Sequence, residues 1–157
     1  DSLLGEIEGL LVTHGVACGD IRIELTETAV ISNIEVADRL LPRFREMGIV
    51  LCMDDFGTGY SSLSYLADLP FGVLKIDKSF IDDIVSRSDQ RALVKAVLTL
   101  AREMGLLVVA EGIEFEAQSQ MLRAMECGYG RGYLFAKPLA PADATRWLQS
   151  AREARQG

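Results

Sequence analysis

The feature that most constrains this chain is an alternation. Short apolar runs, among them Ile49-Val50-Leu51-Cys52-Met53, Val73-Leu74-Lys75-Ile76 and Leu106-Leu107-Val108-Val109-Ala110, are each followed by a stretch of helical periodicity. A strand that reads as a continuous apolar run is buried on both faces, and strands alternating with helices imply a parallel sheet covered by its crossovers. The expected class is therefore α/β. Strands are expected over residues 21–25, 49–53, 73–76, 106–110 and 129–132. Helices are expected over residues 3–14, 32–47, 61–67, 89–104 and 115–125, with a short turn from Lys78 and a last helix opening at Pro141. Ser32 and Glu35 have capping-box spacing, Gly48 is placed to stop the helix they begin, and Pro42 inside it should kink or shorten it.

The ionisable residues fall at one place in this pattern. Asp54-Asp55 closes the second apolar run and leads directly into Phe56-Gly57-Thr58-Gly59-Tyr60-Ser61-Ser62. An ionised pair beside a core needs a cation or donor partner. Glu24 ends the first strand with Glu27 three residues on, Lys75 and Asp77 end the third, Glu111 ends the fourth, and Arg131 lies at the fifth. In parallel α/β folds that edge of the sheet is where ligands and catalysis sit. Taken singly, each residue has a structural reading: a turn with a capping Asp, a helix-cap acceptor at Glu24 or Glu111, a buried ion pair of Lys75 with Asp77 or another carboxylate. Their recurrence at one edge favours a site.

Charge and composition narrow the chemistry. A net charge of -7 argues against a protein that coats a nucleic-acid polymer, and no apolar run is long enough to span a membrane. Cys18, Cys52 and Cys127 have neither zinc nor redox spacing, so reduced thiols in a cytoplasmic protein are expected. With His14 the only histidine, triads and multi-histidine metal sites are ruled out, leaving carboxylates and lysine. Carboxylates without histidine or thiolate suit Mg²⁺ or Mn²⁺. Adjacent aspartates can hold two such ions for a phosphoryl displacement. A lysine among them is suited, if its pKa is lowered, to orient or deprotonate a metal-bound water.

Glu24-Leu25-Thr26-Glu27, Asp54-Asp55-Phe56-Gly57-Thr58-Gly59-Tyr60-Ser61-Ser62-Leu63, Leu74-Lys75-Ile76-Asp77, Ala110-Glu111-Gly112-Ile113-Glu114 and Gly132-Tyr133-Leu134-Phe135-Ala136-Lys137-Pro138 occur in this order. Together they resemble the EAL domain, the bacterial cyclic di-GMP phosphodiesterase module, over nearly the whole chain. The resemblance implies a modified (β/α)₈ barrel that linearises cyclic di-GMP to pGpG with two Mg²⁺ or Mn²⁺ ions. By position, Glu24, Asp54 and Glu111 resemble metal ligands, and Asp55 belongs to the second metal site. Lys75 resembles the residue that activates water, Asp77 lies beside the metals, and Glu27 resembles the glutamate that steadies the Asp-Phe-Gly-Thr-Gly loop. Pro138 and the Tyr-Leu-Phe run before it resemble the final stretch lining the substrate pocket. Catalysis is thus assigned to Lys75, Glu111 and Asp54, and substrate contact to Asp77, Arg131 and Pro138.

Two departures from the family pattern stand out. A complete barrel needs roughly 250 residues, whereas residues 1–157 supply about five strands and lack the Glu-Ala-Leu motif. One EAL-type domain portion, a partial TIM-like barrel that is inactive or impaired by itself and self-associates as a homodimer or in another form, is the expectation. A GGDEF or sensor domain in a parent protein is a possible partner. Arg131 stands where the family carries Gln; it suits a phosphate through its fork of donors, or puts positive charge where a cation belongs. The other readings are a degenerate EAL module acting as a cyclic di-GMP receptor or interaction module, and an enolase-like barrel lyase, which the Asp-Asp-Phe-Gly-Thr-Gly loop disfavours.

Overall fold

The computed structural model describes residues 2–57 and 63–153. In chain order the elements are α1 (Ser2–His14), β1 (Arg22–Thr26), α2 (Glu27–Ser32), α3 (Ile34–Glu46), β2 (Val50–Phe56), α4 (Leu63–Asp68), β3 (Val73–Ile76), α5 (Lys78–Asp82), α6 (Ser88–Glu103), β4 (Leu107–Ala110), α7 (Glu116–Ala124), β5 (Tyr129–Gly130) and α8 (Pro141–Glu153). The five strands form one sheet in the order β1-β2-β3-β4-β5, each parallel to its neighbour. Strand order that never reverses has no topological switch point, so this is the winding of a (β/α) barrel wall rather than of a doubly wound sheet. The expected α/β architecture of about five parallel strands is what forms.

Right-handed crossovers that always step the same way lay their helices on one face of the sheet. The period-2 alternation then divides the strand residues. Leu51, Met53, Leu74, Ile76, Val108 and Ala110 join a single core with α3, α6 and α7 through Leu41, Phe44, Val94, Leu98 and Leu122. Their in-strand neighbours face the other side, where Arg22, Glu24, Cys52, Val73, Lys75 and Val109 line a hollow of about 300 Å³. Buried thiols on a sheet face are poor nucleophiles. Burial pushes Cys52 up, with the negative charge of Glu24 adding to it, and all three cysteines are free.

One break in the register organises the site. Cys52 pairs with Val73 and Met53 with Leu74, but the next partner of Ile76 is Phe56, so Asp54 and Asp55 together oppose Lys75. This is a β-bulge, and its extra residue Asp55 has φ +54. Because a one-residue slip exchanges the two faces, the bulge returns Phe56 to the helix-covered core, where it is buried.

One expectation is corrected and another is narrowed. The Ser32–Glu35 capping box does not form, because Ser32 ends a separate short helix. Thr26 caps that helix by accepting from the Ala29 N–H at 3.3 Å, and Asn33 separates it from α3, donating through Nδ2 to the Ala29 carbonyl at 3.2 Å. Pro42 does not shorten α3, which runs to Glu46 with Met47 and then Gly48 (φ +86) closing it. Pro42 faces solvent, so water can satisfy the carbonyl its missing N–H leaves free. The expected start of the 61–67 helix, like residues 58–62 of the loop after Asp55, lies outside the described residues.

Past β5 two backbone hydrogen bonds help to pin the chain. The Ile113 N–H donates to the Arg131 carbonyl at 3.1 Å and the Leu134 N–H to the Ile113 carbonyl at 3.0 Å. A side chain at Gly132 would put its Cβ 2.1 Å from the Ile113 oxygen and 2.3 Å from its nitrogen. Gly132→Ala should therefore cost about 3 kcal/mol, read as a lowered urea midpoint at unchanged slope; an unchanged midpoint would show that this junction yields freely.

Candidate active site

Strand β3 is the middle of the sheet, and Lys75 points from it into the open face. Three carboxylates reach its ammonium group from other strands. Nζ donates to Glu24 Oε2 of β1 at 2.7 Å and to Asp54 Oδ1 of β2 at 2.8 Å, and lies 2.9 Å from Glu111 Oε1 just past β4. The Lys75 side chain is 4% exposed, against 44% for Glu24, 21% for Asp54 and 11% for Glu111. The sheet ladder extends one residue beyond its regular pairing to hold this rim, with the Glu111 N–H donating to the Ile76 carbonyl at 3.1 Å and the Arg131 N–H to the Ala110 carbonyl at 2.9 Å. Arg131 Nε then stands 3.1 Å from Glu111 Oε1. That oxygen is buried between two cations, with no hydrogen bond aligned on it.

The electrostatics of Lys75 follow from its three acidic neighbours. Burial alone would pull Lys75 down from its ordinary 10.5, but Asp54, Glu24 and Glu111 outweigh it and hold the ammonium well above that value. In this arrangement Lys75 is a proton-bearing donor and not a poised base. Nor do the acids form a ready cation cage: among the described residues no three His, Cys, Asp or Glu groups are arranged to hold an ion. The carboxylates are drawn onto Lys75 instead. The donor set itself, all oxygen and with one buried carboxylate oxygen lacking an aligned partner, matches the preference of a hard divalent cation.

The remaining sequence-selected residues are distributed around this cluster. Asp54 Oδ1 also accepts the Asp55 N–H at 3.0 Å, which holds the bulge to the cluster. Glu27 is buried at the start of α2, and its Oε2 accepts the Gly57 N–H at 3.1 Å. Asp77 is the N-cap of α5, its Oδ1 taking the Ser79 N–H at 3.0 Å and the Ser79 hydroxyl at 2.6 Å. Those bonds, led by the hydroxyl, hold its carboxyl below the usual range. Both bonds stay within the first turn of α5.

Pro138 lines a cavity of about 580 Å³ beside Glu111, together with Arg131 and Tyr133. Lys78, Glu114 and Lys137 line it too, and sequence reasoning passed over them. Lys78 Nζ donates to Glu114 Oε1 at 2.5 Å, and Lys137 Nζ stands 5.7 Å from the Tyr133 ring centre. Their signal was adjacency, since Lys78 follows Asp77 and Lys137 precedes Pro138.

A family model described as EAL domain matches residues 1–138. The chain is 42% identical over 151 residues to cyclic di-GMP phosphodiesterase NbdA of Pseudomonas aeruginosa, covering 96% of this chain and 19% of that protein. Among solved structures it is similar to the PaMucR phosphodiesterase in complex with c-di-GMP, at TM-score 0.86 and 35% identity over 90% of this chain and 57% of that one. It is likewise similar to Klebsiella pneumoniae BlrP1 in a manganese and cyclic di-GMP complex, at TM-score 0.82 and 32% identity over 86% of this chain and 34% of that one. The chain spans about a fifth of the length of the curated relatives it matches.

Because the folded-state value of Lys75 lies above its unfolded one, the linked stability is complete below pH 10.5 and drains away only as pH rises through the folded value. Lys75→Met should cost about 3 kcal/mol at pH 7, the low end for breaking a buried ion pair because Glu24 is partly solvated. It should also flatten the alkaline limb of the stability–pH profile. A Met variant as stable as the parent chain at pH 7 would remove the ammonium group from its central role.

Proposed function

The chain belongs to the EAL domain family, and on that premise we propose that its strand-end cluster is the centre of a cyclic di-GMP phosphodiesterase site that opens the cyclic dinucleotide to pGpG. The observation that carries the reading is the convergence of Glu24, Asp54 and Glu111 on Lys75, beside a cavity rimmed by Lys78, Arg131 and Lys137. Relatives named as cyclic di-GMP phosphodiesterases, and a similar structure titled as a manganese complex of that dinucleotide, support it.

Glu24, Asp54 and Glu111 would hold one Mg²⁺ or Mn²⁺, with Asp55 serving a second ion. When bound, such ions supply Lewis acidity at a phosphodiester and the charge to offset its transition state. The other roles fall to this chain's own residues. Lys75 keeps three like charges within reach of one another and presents a proton-bearing nitrogen beside them. Lys78, Arg131 and Lys137 give the cavity a cationic rim that draws in a ligand with two phosphodiesters. Glu27, through the Gly57 N–H, would steady the loop after the aspartates, while Asp77 and Pro138 bound the substrate space. The site is read as belonging to one domain unit that works in the cytoplasm. No helix among the described residues is long and apolar enough to cross a membrane.

A second reading, a module that binds the dinucleotide without cutting it, is favoured by one contact, the Arg131 guanidinium against Glu111. Incubation with cyclic di-GMP and Mn²⁺, with nucleotides separated by ion-exchange chromatography, distinguishes the two. The enzymatic reading expects pGpG to accumulate and Glu111→Gln to slow it by about a hundredfold or more while binding persists. Binding without turnover supports the receptor reading, and absence of both overturns the site.

A further inference from the structure

Glu111 Oε1 has an unusual situation. It is buried, lies 2.9 Å from Lys75 Nζ and 3.1 Å from Arg131 Nε, and takes an aligned hydrogen bond from neither. Two protein-borne cations thus share one carboxylate oxygen. They differ in freedom: Lys75 is enclosed and tied to Glu24 and Asp54, whereas the Arg131 side chain is 62% exposed, and its contact with Glu111 is its one charge partner among the described residues. Three carboxylates against Lys75 and Arg131 leave a single net negative charge around the cluster. Removing Arg131 would leave two.

We infer that Arg131 is a resident counter-cation that competes with the divalent ion for Glu111, so that metal occupancy and the position of the Arg131 guanidinium are coupled. The inference rests on the metal-dependent reading of the site. Arg131 also lines the 580 Å³ cavity with Lys78 and Lys137, so a guanidinium displaced from Glu111 remains at the mouth where an anionic ligand enters. A glutamine at this position could satisfy the buried oxygen as a neutral donor without opposing a cation. Lysine would keep the opposing charge. Arg131 is in this sense a positioning residue, acting on the ion through Glu111.

The test uses the whole chain and Mn²⁺ alone, following the six-line resonance of the free ion by electron paramagnetic resonance, with thermal melts in chelator and in excess Mn²⁺. Removing a unit charge this near a divalent ion, in a partly solvated site, should tighten binding roughly five- to tenfold in Arg131→Gln. The same variant should melt lower than the parent in chelator and show a larger rise on adding Mn²⁺, while Arg131→Lys keeps parental affinity. Equal or weaker Mn²⁺ binding by Arg131→Gln, or an Arg131→Lys variant that behaves like it, overturns the coupling while leaving the metal site standing. If neither parent nor variant binds Mn²⁺, the metal-dependent reading falls with it.

Discussion

The buried ammonium of Lys75 is the interaction on which the rest of the site depends. Three acidic side chains from different strands cannot be brought to one face of a sheet at close range unless a positive charge stands among them, because each is shielded less by water as it approaches the core. Lys75 supplies that charge from the central strand, where Glu24, Asp54 and Glu111 can all reach it within 3 Å. Its own burial is tolerable only because they surround it. Cluster and lysine are therefore one unit, and neither would be stable at this depth without the other.

The backbone makes that unit possible through the bulge at Asp54-Asp55. In a regular strand adjacent residues point to opposite faces, so one carboxylate of the pair would be directed into the helix-covered core. The extra residue opposes both aspartates to Lys75 and restores the register in time for Phe56 to pack inside. A sheet irregularity thus lets an acidic pair be adjacent in sequence without acid entering the core. The turn that follows is secured from elsewhere, by Glu27 at the start of α2 taking the Gly57 N–H.

Much of this was legible from residue order. Continuous apolar runs separated by amphipathic stretches announced parallel strands, and the five strands lie close to where the pattern put them. Glu24, Asp54, Lys75 and Glu111 were marked by sitting at equivalent points of successive strands. Local signals failed where two were in conflict. Ser32 has capping spacing with Glu35, yet Thr26 and Asn33 satisfy the backbone better and leave Ser32 inside a helix of its own. Pro42 is a helix breaker by propensity, and its solvent-facing position made the loss of one hydrogen bond tolerable.

What the sequence by itself determined is the strand–helix alternation, the all-parallel sheet it requires, the oxygen-only chemistry available to a chain with one histidine, and the edge of the sheet at which that chemistry lies. Periodicity is a local property, and these follow from it. Only the tertiary structure decided that the acids converge on Lys75, that they outweigh its burial and hold its ammonium above the ordinary range, and that Arg131 shares Glu111 with it. Those are outcomes of distance and burial among residues as far apart in the chain as Glu24 and Glu111, and a charge acquires its pKa and its partner only once folding has set both.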